Sequence, residues 1–270
     1  FMLEFDLLAR NLYTPDQLHI SYDPSLRASF TPQQQARIET RWQERLAFAR
    51  KHNFLLYDGQ LFRLVAIEPR NDGTLHLTLG DTGYKDYVAT RNDEEEYNRP
   101  RFERANPLSV CGAAETTDGH ILLERRPATG IHAGRYHVIG GFTDRTMDMH
   151  YGHIDLYGAM SRELREETGI QQEDIRNQIC LGAAYDLPQP HPELCFGIQL
   201  KISYEEVLQR EPEDNEIEQM LTVHATPDEL RNFICNNRGN ISPTGEPTLL
   251  LYGAYRFGEA WYEDVMHRIL

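Results

Sequence analysis

The sequence predicts an α+β fold in two parts: an N-terminal α+β unit over residues 1–104, built from strands and one long helix, and a second domain over residues 105–270. Three patterns lead to this prediction. Strand-like alternation opens the chain, one amphipathic helix with clear start signals follows, and from about residue 105 short apolar runs typical of strands flank a helical segment. We place the boundary in the charged, aperiodic stretch 91–104, which could equally be a loop within one domain.

The first elements are a strand and the long helix. In the strand, polar residues alternate with the apolar residues Leu3, Phe5, Leu7 and Ala9. Thr31 is placed to cap the helix, with Pro32 at the first helical position and Gln34 able to complete a capping box. Apolar residues at every fourth position from Ile38 to Leu46 give this helix a stripe that can be buried.

Two turn signals organise the rest of the N-terminal unit. The pair Asp58-Gly59 is typical of a two-residue hairpin turn and predicts strands at 54–57 and 60–67. The run Asn71-Asp72-Gly73 predicts a second turn, which leads into a strand at 74–79.

The second domain is predicted to place strands around one central helix. Strands are expected at 108–115, 119–125, 134–139, near 179–186, near 194–203 and at 219–224. Helices are expected at 156–168, 228–236 and 247–270, and the last of them would close the chain.

Composition restricts the partners. A formal net charge of −15 argues against nucleic acid, although bound cations can invert the local field and admit an anionic small molecule. No apolar run approaches the roughly 18 residues of a membrane span. No basic segment followed by an apolar stretch marks a secretory signal, and the four cysteines are scattered. We therefore expect a cytoplasmic protein with reduced thiols that does not enter membranes.

Three glutamates on one helical turn are the strongest functional signal. Glu163, Glu166 and Glu167 stand at i, i+3 and i+4, so they share one face of the helix. Like charges at this spacing repel one another, and a divalent cation among them would relieve the repulsion. Carboxylate oxygens suit Mg²⁺ or Mn²⁺. The alternative is a solvated helix face on which Arg162 and Glu166 form an ordinary i,i+4 ion pair.

The residues around this turn resemble a known motif. The run from Arg162 to Ile170 is similar to the second half of the Nudix box, R-E-U-x-E-E-x-G-U with U aliphatic, without a gap. The resemblance implies a Nudix αβα sandwich over the second domain. It also implies a hydrolase that cleaves a diphosphate linked to another moiety, using Mg²⁺ or Mn²⁺ held by the box glutamates.

The first half of the box departs from the family pattern. Gly141 can serve as the box glycine, and its carbonyl could then be offered to a metal, but seven extra residues separate it from Arg162. The position expected for the first glutamate is Ile154, which cannot bind a metal. Asp155, one place later, is either a substitute ligand or the N-cap of the helix that follows.

Further candidates lie on either side of the box. The segment Leu122 to Arg126 resembles the strand that precedes the box in many Nudix proteins, where an arginine, here Arg126, can fork onto phosphate oxygens. A solvated strand end is the alternative for Arg126. Many Nudix enzymes recruit a later carboxylate as a ligand or base, and the acidic candidates for that role are Glu213, Glu216 and Glu218.

A narrower resemblance points to one subgroup. Over roughly residues 75–170 the chain is similar to UDP-glucose diphosphatases. The resemblance lies in the stretch from Leu77 to Tyr87, the strand from Asn106 to Ala114, the paired Arg125-Arg126 and the irregular box that aligns on Asp155. The match of Pro212-Glu213-Asp214-Asn215-Glu216 to a later motif of that subgroup favours Glu216 among the loop glutamates. The resemblance implies cleavage of UDP-sugars to UMP and a sugar 1-phosphate.

These candidates together predict a reaction. Metals on Glu163, Glu166 and Glu167 would neutralise the two phosphoryl groups, and one of these residues or Glu216 would accept the proton of the attacking water. Tyr84, Lys85 and Tyr87 are candidates for the nucleotide, or alternatively pack the two units together. Two other functions stay open: hydrolysis of ADP-ribose or another nucleoside diphosphate derivative, and a Nudix-fold module that binds a nucleotide without turnover. No role is predicted for the histidines near the box.

Overall fold

The computed structural model describes residues 2–128, 130–214, 217 and 219–270, and for Glu96 it describes the backbone alone. The fold mixes strands and helices, as the sequence predicts. Its strands are β1 (Phe5–Tyr13), β2 (Leu18–Tyr22), β3 (Gln60–Pro69), β4 (Leu75–Gly83), β5 (Ser109–Glu115), β6 (His120–Arg125), β7 (Tyr136–His137), β8 (Ile139–Phe142), β9 (Met149–His150), β10 (His153–Ile154), β11 (Ile175–Asp186), β12 (His191–Leu200) and β13 (Met220–His224).

The helices follow the same chain order. They are α1 (Pro32–Lys51), α2 (Tyr84–Thr90), α3 (Glu94–Tyr97), α4 (Leu156–Thr168), α5 (Tyr204–Leu208), α6 (Pro227–Asn236), α7 (Gly245–Phe257) and α8 (Glu259–Ile269). In the described part of the chain, none of them combines the length and the hydropathy that a membrane crossing requires.

One large sheet carries the second domain. Its strands run in the order β1-β11-β12-β5-β6-β13, with β8 added beside β5 and β7 beside β6. Helix α4 packs on one face, where Leu156, Met160 and Leu164 join a core with Val110 and Phe196. Helix α7 packs on the other face, where its leucines meet the neighbouring strands. A sheet covered by a helix on each face is the αβα sandwich that the sequence predicts.

The N-terminal segment contributes to two sheets. Strands β2, β4 and β3 form a small sheet of their own. Strand β1 instead pairs antiparallel with β11 of the large sheet, from Phe5 beside Asp186 to Tyr13 beside Cys180. The boundary at residue 104 stays a prediction, and one strand from before it lies in the large sheet.

The predicted helix start is confirmed. The side chain of Thr31 accepts a hydrogen bond from the backbone N–H of Gln34 at 3.2 Å, and the Gln34 side chain accepts from the Thr31 N–H at 2.7 Å, which completes the capping box. Ile38 and Trp42 are buried on the predicted stripe. A helix thus begins where two exposed backbone donors find side-chain partners.

The predicted hairpin at Asp58-Gly59 is wrong. Residues 54–57 are not a strand, and β3 pairs instead with β4. The turn docks on the start of α2, where the Asp58 carboxylate accepts a hydrogen bond from Lys85 N at 2.9 Å and the carbonyl of Gly59 accepts one from Tyr84 N at 3.0 Å. The preference for a hairpin turn is therefore overridden by a tertiary contact.

The single closing helix over 247–270 is also wrong. The chain forms two helices, α7 and α8, that meet at Gly258, whose φ is +90°. This region of backbone space suits glycine because a side chain would be strained there. Strand β2, the β9–β10 hairpin and helix α5 were not predicted from the sequence, and the predicted strand at 134–139 is divided between β7 and β8.

Candidate active site

Helix α4 holds the glutamate turn in place. It begins at Asp155, whose carboxylate accepts a hydrogen bond from Gly158 N at 2.8 Å, and it ends at Gly169, which has a φ of +74°. Its apolar side chains face the sheet, so the glutamates are carried on the rest of its surface. Asp155 therefore acts as the helix cap, the second of the two roles that the sequence left open.

Arg162 orients the glutamates. Its Nη1 donates to Glu163 Oε1 at 2.7 Å and to Glu166 Oε2 at 2.9 Å. Its Nε and Nη2 form a bidentate pair with Asp148, each at 2.8 Å. Burial alone would lower the pKa of Arg162, but the hydrogen bonds with Asp148 and the charges of these carboxylates raise it. A permanent cation thus fixes two glutamate side chains of the turn.

The residue that anchors Arg162 was missed by sequence reasoning. Asp148 is buried, and its second oxygen also accepts the backbone N–H of Asp144 at 2.7 Å. Asp144 in turn accepts from Thr146 N at 2.7 Å, which closes the loop after β8. Asp148 lies in the extra segment between Gly141 and Arg162. A buried partner for an arginine leaves no periodic signal in sequence, because tertiary contact alone brings the two together.

Glycine at 141 makes room for Glu163. A β-carbon on Gly141 would lie 2.4 Å from Glu163 Oε2 and 2.7 Å from its Cδ, well inside van der Waals contact. The Glu163 carboxylate therefore rests directly against strand β8. Gly141 and Glu163, which the sequence predicts to belong to one motif, are therefore in contact despite the long insertion between them.

These groups open onto one cavity of about 410 Å³. Arg162, Glu163 and Glu166 form one wall, Glu124 and Arg126 of β6 and the following segment another, and residues 54–57 with Tyr84 close the N-terminal side. The volume lies within the range of about 300–1,000 Å³ that is typical of small-molecule sites. The lining of the cavity thus combines charged groups with apolar and aromatic groups.

Arg126 faces this cavity and Arg125 does not. Arg126 Nη1 donates to the buried Glu124 at 2.9 Å, whereas Arg125 turns the other way and lies over the Tyr136 ring at 4.5 Å. Burial would lower the pKa of Arg126, but the charges of Glu124, Glu193 and Glu167 raise it. Strand alternation therefore aims one arginine of the pair at the cavity, as a positive charge that can meet an anion.

The other predicted glutamates have different surroundings. Glu167 is only 4 % exposed, and its charge acts on Arg126. Glu213 lies in the loop after α5 and accepts a hydrogen bond from Arg165 Nε at 2.8 Å. Its neighbour Asp214, which the sequence analysis did not select, lines the cavity. Glu216 and Glu218 lie outside the described residues.

The three residues predicted to contact the nucleotide, Tyr84, Lys85 and Tyr87, have different surroundings. Tyr84 lines the cavity. Lys85 instead donates from Nζ to Glu39 of α1 at 2.7 Å, and Tyr87 is only 1 % exposed, packed edge-on to Phe142 and His191. All three residues belong to helix α2, whose first turn is set by Asp58 and Gly59. Only Tyr84 therefore has a position from which a ligand in the cavity can be reached, and Lys85 and Tyr87 pack the structure together.

Glu193, a carboxylate not selected from the sequence, lies on the cavity floor. It is 3 % exposed, and burial raises the pKa of Glu193 to about 7 although Thr244 and Arg126 act against this. His137 Nε2 lies 3.8 Å from its Oε1. Burial, and then the charge of Arg126, lower the pKa of His137, so that ring is neutral. Neither residue belongs to a local motif, which is why sequence spacing gave no signal.

Because the pKa of Glu193 is raised, we expect this residue to make the free energy of unfolding depend on pH. In metal-free protein, folded Glu193 keeps its proton up to pH about 7, whereas the unfolded chain releases it near pH 4.5. Its stabilising contribution is thus complete below pH 4.5 and is lost as the pH rises through 7. Glutamine cannot ionise, so the Glu193→Gln variant does not lose this stability as the pH rises. The free energy of unfolding of the variant should exceed that of the unmodified protein by about 1–3 kcal/mol at pH 8, and by less near pH 5.

Urea unfolding at both pH values, in the presence of a chelator, measures this difference. Because His137 Nε2 lies 3.8 Å from Glu193 Oε1, the same comparison is repeated in a His137→Gln background, where that ring cannot titrate, and the difference should persist. Equal differences at the two pH values would show that Glu193 is ionised throughout.

The glutamate turn also suits a divalent cation. Glu163 and Glu166 present carboxylates to the cavity, and the space against Gly141 that a β-carbon would fill is taken by the Glu163 carboxylate. Oxygen donors of this kind fit Mg²⁺ or Mn²⁺. Arg162 keeps the two carboxylates close together, and Gly141 lies directly against the Glu163 carboxylate.

The chain has been compared with known proteins. A family model described as NUDIX domain matches residues 105–239, half of the chain. None of the curated proteins matches it. The chain is similar to the solved NUDIX domain of Shewanella oneidensis NrtR complexed with ADP ribose, at 19% identity and a TM-score of 0.40, covering 61% of this chain and 97% of that one.

Two further solved structures show a similar likeness. For a NUDIX hydrolase from Nitrosomonas europaea, the identity is 19%, the TM-score 0.37, and the coverage 56% of this chain and 90% of that one. For a nudix hydrolase family member from Chromobacterium violaceum, the identity is 22%, the TM-score 0.35, and the coverage 60% of this chain and 87% of that one. Because these identities and scores are low, the family assignment rests on the match to the family model.

Proposed function

The chain belongs to the Nudix family and is a hydrolase of phosphoric anhydride bonds, and on this premise we propose that it cleaves a UDP-sugar to UMP and a sugar 1-phosphate. The coarser form of the proposal is hydrolysis of a nucleoside diphosphate derivative. The narrower form is supported by the resemblance to UDP-glucose diphosphatases over roughly residues 75–170, which includes the irregular box.

One observation carries the proposal. The carboxylates of Glu163 and Glu166 and the guanidinium of Arg126 face a single cavity from different walls. A diphosphate needs anion-binding charge and, beside it, a site for divalent cations. In this cavity both requirements are met, and residues 54–57 offer apolar surface for the remainder of a substrate.

The chain's own residues then have distinct tasks. When bound at Glu163, Glu166 and Glu167, with Gly141 offering its carbonyl, a divalent cation would neutralise phosphate charge and make a water easier to deprotonate. Arg126 binds a phosphate oxygen. Arg162 holds Glu163 and Glu166 in the orientation fixed by Asp148. Glu167 or Glu216 accepts the proton of the attacking water. The water oxygen bonds to one phosphorus atom as the bond in line with it, from that phosphorus to the bridging oxygen, breaks, and the other phosphate leaves with the bridging oxygen.

The N-terminal side of the cavity is proposed to receive the nucleoside. Leu55 and Tyr57 line this side, and the exposed fractions of these large hydrophobic residues are 85 % and 62 %. Tyr84 lines the same wall and contacts the Phe142 ring edge-on at 6.0 Å between centroids. Aromatic rings can stack on a base, and exposed apolar surface beside a charged site is suited to cover one.

A panel of substrates tests the proposal. UDP-glucose, UDP-galactose, ADP-ribose and a dinucleoside polyphosphate would each be incubated with the protein and Mg²⁺ or Mn²⁺, and the products separated by chromatography. We expect UMP and sugar 1-phosphate from a UDP-sugar with the highest kcat/KM of the panel. Preference for ADP-ribose would contradict the sugar nucleotide assignment and leave the hydrolase. Binding of a nucleotide without turnover of any compound would indicate a binding module.

A substitution at Tyr57 tests the proposed position of the nucleoside. Tyr57→Ala should raise the KM for the best substrate by about tenfold with little change in kcat, because it removes binding that is equal in the ground and transition states. Tyr97→Ala, an exposed tyrosine that does not line this cavity, is the matched control. An unchanged KM in Tyr57→Ala would place the nucleoside elsewhere.

A further inference from the structure

A second group of ligating side chains includes Glu193, which lines the cavity, and two residues that do not line it. Cys111 of β5, His137 of β7 and Glu193 of β12 each direct one donor atom to a common point, and these atoms all lie within 4.8 Å of one another. The residues are 0 %, 2 % and 3 % exposed. Cys111 belongs to the core on the α7 side of the sheet, whereas the glutamate turn is carried by α4 on the other side. Three strands that are far apart in sequence thus bring a thiol, an imidazole and a carboxylate together.

We propose that Cys111, His137 and Glu193 form a binding site for a borderline transition-metal ion such as Zn²⁺, separate from the site at the glutamate turn. Sulfur and imidazole donors select Zn²⁺ over Mg²⁺, which prefers oxygen alone. Three protein ligands leave a fourth position open.

The separations of the donor atoms suit such an ion. Around a tetrahedral Zn²⁺ with bonds of about 2.0–2.3 Å, ligand atoms stand about 3.3–3.8 Å apart. His137 Nε2 and Glu193 Oε1 are 3.8 Å apart, at the edge of this range, and none of the three pairs exceeds 4.8 Å. Side-chain rotations that close the longer separations by about 1 Å would complete the geometry.

Neighbouring hydroxyl groups support the donors from outside. The Ser242 hydroxyl and His137 Nδ1 share a hydrogen bond of 2.5 Å, which leaves Nε2 directed at Glu193. Thr248 Oγ1 lies 3.1 Å from Cys111 Sγ. A polar group on the outer nitrogen of a histidine is the usual way in which proteins orient a metal ligand.

Glu193 provides an independent indication that a ligand is accommodated. Its Oε2 is buried and, among the described residues, has no hydrogen-bond partner, with His191 Nε2 4.0 Å away. A buried oxygen without a partner is costly. Glu193 also lines the cavity, so an ion can reach the group from that side.

The local charges permit a dication. A thiolate at Cys111 and a carboxylate at Glu193 would balance the charge of Zn²⁺, with His137 neutral. The cation that faces the group is Arg126, and it is already paired with Glu124 at 2.9 Å. The buried group would therefore be close to neutral when the ion is bound, which limits the cost of burying charge.

Cobalt is the probe for this site, because tetrahedral Co²⁺ absorbs visible light and a cobalt–thiolate bond adds a band in the near ultraviolet. Chelator-treated, dialysed full-length protein would be titrated with Co²⁺ in the presence of excess Mg²⁺. We expect one equivalent of Co²⁺ to produce both bands, and one equivalent of Zn²⁺ to abolish them. Absence of the thiolate band would overturn the proposal.

Matched variants locate the bound ion. Cys111→Ser should lose the thiolate band, and Cys180→Ser, a change at another buried cysteine, should keep it. Glu193→Gln should weaken Co²⁺ binding at least tenfold, which keeps the test decisive if Cys111→Ser fails to fold. Glu167→Gln should keep both bands, because the glutamate turn is a separate site. An unchanged titration in both Cys111→Ser and Glu193→Gln would also refute the site, whatever the activity of the protein.

Discussion

Glu167→Gln should lower kcat for the best substrate by about a thousandfold, or about 4 kcal/mol of transition-state stabilisation. Glutamine keeps the shape of this buried side chain but removes the negative charge that acts on Arg126 and would be shared with a cation. Steady-state kinetics with saturating Mg²⁺ measures the change, and circular dichroism checks that the fold is retained.

The control for this variant is Glu205→Gln, which makes the same chemical change on the exposed helix α5. Its activity should equal that of the unmodified protein. A Glu167→Gln protein that is folded and fully active would show that the glutamate turn does not carry the metal-dependent chemistry, and the proposed mechanism would have to be abandoned.

Gly141→Ala should lower kcat by about a hundredfold, with the protein still folded. The added β-carbon would lie 2.4 Å from Glu163 Oε2, so the carboxylate must move away from strand β8. A displacement of about 1 Å at a catalytic group is enough for an effect of this size. We also expect a loss of about 1–3 kcal/mol in the free energy of unfolding, because the site is overpacked.

Gly112→Ala separates these two effects. This glycine lies in the same sheet, on β5, and its added β-carbon would meet the flexible ends of Ile198 at 2.7 Å and Met160 at 3.1 Å. It should lose stability to a similar degree but keep its kcat. If both variants were equally active, the close approach of Glu163 to residue 141 would have no role in catalysis.

Much of this site could be predicted because its signals are local. The spacing of Glu163, Glu166 and Glu167 is a property of one helical turn, and the capping residue and the terminal glycine of α4 are read from adjacent positions. Arg126 directly follows the strand predicted at 119–125, and it lines the same cavity as Glu163 and Glu166.

The remainder depends on contacts between distant parts of the chain. Asp148 becomes the anchor of Arg162 only when the loop after β8 folds back on α4, and Glu193 meets His137 only across neighbouring strands. The same dependence explains the wrong hairpin at residues 54–57, since Asp58 is engaged by Lys85 N instead of closing a turn between two strands. Local propensity contains no information on any of these partners.

The pairing of β1 with β11 has a consequence for how the protein folds. Strand β1 is far from its partner β11 in sequence, since Phe5 lies beside Asp186 and Tyr13 beside Cys180. Closing a loop of this length loses chain entropy before the contacts between the two strands form and offset that loss. We therefore expect β1 to stay unpaired until the rest of the sheet has assembled. A chain that is cut at the predicted boundary would leave the backbone groups of β11 exposed at the sheet edge, and such an edge invites association between copies.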